Sequence, residues 1–136
     1  EIMPSLVGSE MCIRDRLMII NEIGRNIDIY LAVGFTDMRK SIDGLAAIVQ
    51  QRFQLNPMSK ALFLFCGKRS DRLKALYWEE DGFLLLYKRL ENGKYQWPRN
   101  ENEVRKISEQ QLRWLLEGLK IDQTKVVQKV KDKRIV

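Results

Sequence analysis

A wholly apolar run, Ala61–Cys66 (ALFLFC), limits the fold of this chain more than any other feature. Strands with one solvent-facing side alternate polar and apolar residues, and this run has no polar position. The run is also short for a helix, and its phenylalanines are typical of strands. We therefore predict a buried central strand that is apolar on both faces.

The segments before this run predict a strand and a helix. Ile27–Val33 is apolar and β-branched and predicts a first strand. Thr36 and Asp37 follow as helix-capping residues, and residues 38–53 carry apolar side chains at helical spacing. A strand, a helix and a second strand in this order indicate a crossover connection in which the helix covers one face of the sheet.

After the central run, turn signals indicate an antiparallel meander. Strand-like segments occupy Leu73–Glu79, Phe83–Leu90 and Lys94–Trp97. A Glu-Asp-Gly turn joins the first two segments, and an Asn-Gly pair separates the second from the third. Asn-Gly and Asp-Gly favour hairpin turns because these residues tolerate positive φ angles. We predict three meander strands that pair in sequence order.

The last part of the domain is predicted to be a loop and a helix. Residues 99–107 are polar and charged and are interpreted as a loop. Ser108 and Gln111 have capping-box spacing, and leucines at helical spacing predict a helix over 109–119. The predicted fold class is α+β, a mixed sheet of about five short strands with an antiparallel meander and two helices packed on it.

Both ends of the chain differ from this central part. Residues 1–17 show no strand or helix periodicity, and their text PSLVGSEMCIRDR resembles translated sequencing adapter. We expect these residues to be a non-native leader, with Met18 as the native start. We also expect a single α+β domain over residues 18–121 and a basic, flexible tail over residues 122–136.

Composition excludes several classes of enzyme. The chain has no histidine, which rules out Ser-His-Asp triads, Cys-His pairs and histidine metal sites. Its two cysteines are too few for a disulfide scaffold or a four-thiolate zinc site, and a free thiol fits a reducing cytoplasm. No apolar stretch approaches the roughly 20 residues that span a bilayer. We predict a cytoplasmic protein with no cofactor and no metal.

Positive charge favours an anionic partner, because cationic side chains that neutralise phosphates release counterions. The formal net charge is +6. Tyr77, Trp78, Tyr95 and Trp97 lie among the basic residues and could stack on bases. The alternative is a solvated sheet edge above an aromatic core. The candidate nucleic-acid-binding residues are Lys68, Arg69, Arg72, Lys88, Arg89, Arg39 and Lys40.

A carboxylate-metal nuclease is a further alternative. Asp37, Asp43, Asp71 and the acidic group 79–81 could in principle hold metal ions for strand transfer. Asp37 is also explained as a helix cap, and residues 80–81 are also explained as turn residues. We therefore assign no catalytic residue.

Three motifs carry a resemblance to a known family. They are GFTDMRKSIDGLA at residues 34–46, LFLFCGKRSDRLKALYWEEDGFLLLYKRLENGKYQWP at residues 62–98, and QLRWLLEGL at residues 111–119. In order and spacing they resemble the TnpB-type accessory proteins, the second open reading frame, of insertion sequence family 66. The departures are small: Ser41 stands where glycine is common, and residues 66–69 are less arginine-rich than the family pattern.

The resemblance implies a role in DNA recombination by a mobile genetic element. It implies a non-catalytic accessory protein that is required for transposition of a bacterial insertion sequence beside a separate transposase. The expected partners are DNA and that transposase, with no membrane, and the sequence sets no oligomeric state. The alternative is an adaptor or regulator of the element that makes no direct DNA contact.

Overall fold

A computed structural model of the protein describes residues 19–99 and 103–123. Five strands form one sheet: β1 (Asp28–Ala32), β2 (Ala61–Cys66), β3 (Arg72–Trp78), β4 (Phe83–Arg89) and β5 (Val104–Ile107). Their order across the sheet is β4-β3-β2-β1-β5. β1 and β2 are parallel, and the other three neighbouring pairs are antiparallel.

Helices pack on both faces of this sheet. Residues 19–23 form helix α1. Helix α2 (Ile42–Ala47) continues as a π-helical turn, Ile48–Arg52, and helix α3 is Glu109–Leu116. α2 packs on one face, whereas α1 and α3 pack on the other. The mixed sheet and its helices confirm the α+β prediction, with α1 as a helix that the sequence analysis did not identify. None of the helices in the described ranges is long and apolar enough to cross a membrane.

The central position of β2 confirms the interpretation of the apolar run. All six of its residues are buried. Phe63 and Phe65 pack toward α2, where Leu45 and Val49 are fully buried. The alternate residues of β2 pack on the opposite face with the leucines of α3. A strand at the centre of three layers has no solvent-facing side, which explains its lack of polar residues.

The crossover from β1 through α2 to β2 is present, but the helix begins later than predicted. Its N-cap is Ser41, and Asp37 does not cap it. Instead, a carboxylate oxygen of Asp37 accepts the backbone N–H of Arg39 at 2.9 Å. Aspartate side chains that bond to nearby backbone compete with helix formation, which explains the delay. The predicted range 38–53 therefore divides into a turn and a shorter helix.

The hairpin of β3 and β4 confirms the first two meander strands. Seven residue pairs are in register, from Arg72 opposite Arg89 to Trp78 opposite Phe83. The turn closes with the N–H of Glu79 donating to the carbonyl of Gly82 at 2.8 Å. Glu80 takes the left-handed conformation, with φ at 75°.

The predicted third meander strand, Lys94–Trp97, is wrong. Gly93 takes the left-handed conformation with φ at 87°, but residues 94–97 form no strand. Tyr95 and Trp97 are buried on the face that α3 covers, and the Trp97 indole N–H donates to the carbonyl of Ala32 at 2.7 Å. Burying two aromatic rings offsets the loss of strand pairing at this position.

The fifth strand lies instead in the predicted loop 99–107. β5 pairs antiparallel with β1, with Ile107 opposite Ile29. Ile107 is buried in the core, while Lys106 is exposed and pairs with Asp28 at 3.2 Å. A strand of four residues with two basic ones has too little alternation to be recognised from sequence.

The capping box at the start of α3 is confirmed. The Ser108 hydroxyl accepts the N–H of Gln111 at 3.1 Å, and the Gln111 side-chain oxygen accepts the N–H of Ser108 at 2.9 Å. The helix ends at Leu116, earlier than predicted. Gly118 follows with φ at 87°, a conformation that suits glycine at a helix C-terminus.

The predicted leader, residues 1–17, lies outside the described residues, as do residues 124–136 of the predicted tail. The start of that tail is described at Asp122. Its carboxylate accepts two hydrogen bonds from the Arg105 guanidinium, at 2.6 and 2.8 Å. The domain boundaries stay predictions.

Candidate nucleic-acid interface

One end of the sheet collects basic residues from three segments of the chain. β1 and β2 are parallel, so both end there, and in the antiparallel hairpin β3 begins and β4 ends there. The loop 33–41 follows β1, and the turn 67–71 connects β2 to β3. We call this end the basic edge and define it by Arg39, Lys40, Lys68, Arg69, Arg72 and Arg89.

The turn after β2 presents Lys68 and Arg69 to solvent. The N–H of Gly67 donates to the carbonyl of Arg72 at 3.1 Å, and the N–H of Ser70 donates to the carbonyl of Gly67 at 3.0 Å. Both bonds close the turn on itself, and Lys68 and Arg69 are exposed at its tip. Within the described residues, neither side chain forms an ion pair with a carboxylate, so both charges are available to an anion.

Two contacts hold the loop after β1 against this turn. The N–H of Thr36 donates to the carbonyl of Cys66 at 2.8 Å. Met38 packs on Gly67 so closely that a Cβ added there would lie 2.7 Å from the Met38 side chain. An open cleft separates the two segments, with Phe35 on one side and Lys68, Arg69 and Arg72 among the residues of its walls.

Lys74 fixes the backbone that carries Arg39 and Lys40. Its ammonium donates to the carbonyl of Met38 at 2.8 Å and to the carbonyl of Lys40 at 2.7 Å. Sequence analysis missed this positioning residue. The sequence does hold a signal for Lys74: it is a charged residue on the strand face that also carries Leu76. That face packs toward α2.

The structure separates Lys88 from the other candidate residues. In the hairpin register, Arg89 is opposite Arg72, and Lys88 is opposite Leu73. Side chains alternate between faces along a strand, so Arg72 and Arg89 share one face and Lys88 lies on the other. Lys88 was grouped with Arg89 as a candidate because the two are adjacent in sequence, but adjacent residues of a strand point to opposite faces.

Carboxylates accompany three of the basic residues. Arg89 pairs with Glu91 at 3.0 Å, and the Arg72 guanidinium lies 4.0 Å from the Asp71 carboxylate. Arg39 pairs with Asp37 at 2.8 Å. The hydrogen bonds from Arg39 hold the pKa of the Asp37 carboxyl well below its usual range. Repulsion among the cations is therefore partly relieved within the chain itself.

Two atoms in the wall of the cleft are buried and lack a hydrogen-bond partner in the described residues. They are Oδ1 of Asp71 and Nε of Arg72. The Arg72 atom is a donor and the Asp71 atom an acceptor. These are the two atoms of the 4.0 Å ion pair, so the charges face each other beneath the cleft wall without a hydrogen bond.

The aromatic residues of this region are not those that the sequence indicated. Tyr95 and Trp97 are 3% and 6% exposed, so neither ring can stack on a base. Trp78 lies at the far end of the hairpin against Phe83. The exposed rings are Phe35, at 57%, and Tyr87, at 52%.

Each exposed ring has a basic group near its face. Lys68 and Arg99 lie 5.9 and 6.0 Å from the centre of the Phe35 ring, and Lys74 lies 5.5 Å from the centre of the Tyr87 ring. The sequence feature that could have identified Phe35 is its position. It is an aromatic residue in a loop directly after a strand, outside the apolar spacing of α2.

Neither the buried thiol nor the buried phenol is activated. Burial raises the pKa of the Cys66 thiol to about 11 and the pKa of the Tyr95 phenol to about 12. Both groups are therefore protonated at neutral pH, and a protonated thiol is a poor nucleophile.

The candidate metal-binding carboxylates lie at opposite ends of the hairpin. Asp37 and Asp71 are at the basic edge, whereas residues 79–81 form the turn at the other end of β3. The seven residues of β3 separate the two sets by about 20 Å. Among the residues that the structure describes, no three His, Cys, Asp or Glu side chains converge on a possible metal position.

Comparisons with known proteins agree with the family resemblance of the three sequence motifs. The sequence profile of the family described as "IS66 Orf2 like protein" matches residues 27–126. Uncharacterized protein y4hO of Sinorhizobium fredii is 38% identical over 96 residues, which cover 71% of this chain and 84% of the relative. Uncharacterized protein y4jC of the same organism is 33% identical over 105 residues, 77% of this chain and 88% of the relative. No solved structure matches.

Proposed function

The chain belongs to the IS66 Orf2-like family, and from this membership we propose a specific role for it in transposition. It is a non-catalytic accessory protein that acts beside a separate transposase and contacts the DNA backbone through the basic edge. The contacts are made to phosphates and are independent of sequence. Lys68 and Arg69 are the central contacts, with Arg72, Arg89, Arg39 and Lys40 around them.

The observation that carries this proposal is the convergence of three chain segments at one end of the sheet. The loop after β1, the turn after β2 and the end of the β3–β4 hairpin each contribute exposed or half-exposed cations. Clustered cations attract phosphates and release counterions on binding. The hydrogen bonds of Lys74 hold two of these segments in fixed relation.

The ion pairs at the basic edge are compatible with phosphate binding. The Arg39 side chain is 91% exposed, and the Arg89 side chain is 54% exposed. Ion pairs between exposed groups contribute little to stability, because water screens them. An arginine can therefore exchange its carboxylate for a bidentate phosphate at little cost.

Removal of three charges tests the proposal. A triple variant should bind element-end DNA and random DNA more weakly, and to the same extent. Its substitutions are Lys68→Gln, Arg69→Gln and Arg72→Gln. The log–log salt slope should shrink by up to about three, near 0.9 for each lost phosphate contact. Fluorescence anisotropy across a salt series measures both effects.

A control of equal charge loss separates the basic edge from general attraction. The control substitutions lie at the other end of β2, on β5 and on α3: Lys60→Gln, Lys106→Gln and Arg113→Gln. This triple should bind DNA nearly as the parent chain does. Equal weakening by the two triples would leave net charge as the cause and contradict a defined site.

A second candidate function is that of a protein adaptor, and the position of β4 favours it. β4 is the edge strand beyond β3, and its first five residues are apolar or aromatic. An exposed edge can accept a strand from another protein. If the parent chain captures the cognate transposase without DNA and binds no DNA itself, the adaptor function is the better account.

A further inference from the structure

We propose that Phe35 is a stacking platform for an unpaired base, so that the basic edge takes single-stranded nucleic acid. This inference rests on the proposed function, since it assumes that the basic edge contacts nucleic acid. It adds the class of nucleic acid that binds and names the residue that stacks on an unpaired base. The phosphates on either side of that base would lie near Lys68 and Arg99.

The backbone holds Phe35 in place from both sides. The N–H of Gly34 donates to the carbonyl of Pro98 at 2.9 Å, and the N–H of Thr36 donates to the carbonyl of Cys66 at 2.8 Å. Gly34 has φ at 85°, a left-handed conformation that turns the chain at this point. The backbone on both sides of Phe35 is therefore held in place, and its ring is 57% exposed at the end of the sheet.

Two cations lie over the Phe35 ring at the long end of the cation–π range. The Lys68 ammonium and the Arg99 guanidinium lie 5.9 and 6.0 Å from its centre, near the outer limit of a cation–π contact. Stacked planar groups approach much closer, so neither cation is in stacking contact with the ring. Arg99 is tied to the same turn, because its guanidinium donates to the Lys68 carbonyl and to the Ser70 hydroxyl.

The cations around the Phe35 ring favour a base over an apolar protein side chain as its partner. Lys68 and Arg99 lie over the ring, and Arg69 lies in the same cleft wall. Covering these cations with an apolar partner would remove their hydration without compensation. A nucleotide satisfies both features, since its base is a planar ring and its phosphate is an anion.

Single-stranded nucleic acid fits this platform better than a duplex does. Bases in a duplex are stacked on one another, so their faces are not accessible to a protein ring. Unpaired bases expose both faces, and proteins that bind single strands combine aromatic platforms with a basic groove. The open cleft beside Phe35, with Lys68 and Arg72 in its walls, has both elements.

Substitution of Phe35 tests the inference on the full chain. The probes are a labelled oligothymidylate and a blunt duplex of the same length. Phe35→Ala should weaken oligothymidylate binding about five- to one-hundred-fold and leave duplex binding unchanged. The salt slope should stay constant, because stacking releases no counterions. Phe35→Trp should restore the affinity, since a larger ring stacks at least as well.

Met58→Ala is the matched control. Met58 is 54% exposed, similar to Phe35, but it precedes β2 at the opposite end of that strand. This variant should bind both probes as the parent chain does. Unchanged oligothymidylate binding by Phe35→Ala, with duplex binding intact, would overturn the stacking inference and leave the proposed function standing. Absence of binding to both probes by the parent chain would overturn both proposals.

Discussion

Phe63 and Phe65 lie on the same face of β2, because residues two apart in a strand share a face. They are 1% and 0% exposed, and both pack into the cluster beneath α2. Phe63 stacks on Tyr30 with ring centres 5.5 Å apart, and Phe65 stacks on Phe53 at 6.4 Å. The two rings therefore tie the central strand to β1 and to the end of the crossover helix.

Replacement of either phenylalanine by alanine should be severe. Phe63→Ala or Phe65→Ala should lower the free energy of unfolding by about 3–5 kcal/mol, since each leaves a cavity in a packed core. Urea denaturation followed by circular dichroism measures this loss. The exposed Met58→Ala should change stability by less than about 0.5 kcal/mol. A nearly neutral effect at either phenylalanine would contradict its place in the core.

At the scale of elements, local signals were sufficient where the partner lies close in sequence. The hairpin of β3 and β4 was predicted from its turn residues, and the start of α3 was predicted from the spacing of Ser108 and Gln111. β2 was predicted from its composition alone. In the hairpin and the capping box the deciding interactions lie within a few residues of the signal.

Local signals failed where distant contacts decide the structure. The segment 94–97 has strand-like residues after a turn, but Trp97 instead contacts Ala32, 65 positions earlier. β5 pairs with β1, which lies far away in the sequence, and its two basic residues mask the alternation. The residues of the basic edge were among the sequence candidates, whereas the neighbouring Lys74, Arg99 and Phe35 were not, because their positions depend on contacts between segments.

The capping box makes a prediction at this scale. Ser108→Ala removes the acceptor for the N–H of Gln111 and should lower the free energy of unfolding by about 1 kcal/mol. Thermal or chemical denaturation measures the change. Gln110→Ala, at an exposed position of the same helix turn, should change stability by less than about 0.5 kcal/mol. Equal effects of the two substitutions would show that the cap contributes nothing.

At the scale of the whole molecule, the fold separates charges to opposite ends of one hairpin. The acidic turn 79–81 lies at one end of β3, and the basic edge lies at the other. Three layers support this arrangement, because helices on both faces fix the central strand and the turn that follows it. Under the proposed function, DNA would approach the basic end of the sheet.

The most direct test of this account is a transposition assay in cells. An insertion sequence that lacks its own copy of this gene is supplied with the parent chain, the basic-edge triple or the control triple. The parent chain should restore transposition, and so should the control triple at Lys60, Lys106 and Arg113. The triple at Lys68, Arg69 and Arg72 should not. Full transposition with a folded and expressed basic-edge triple would contradict the account.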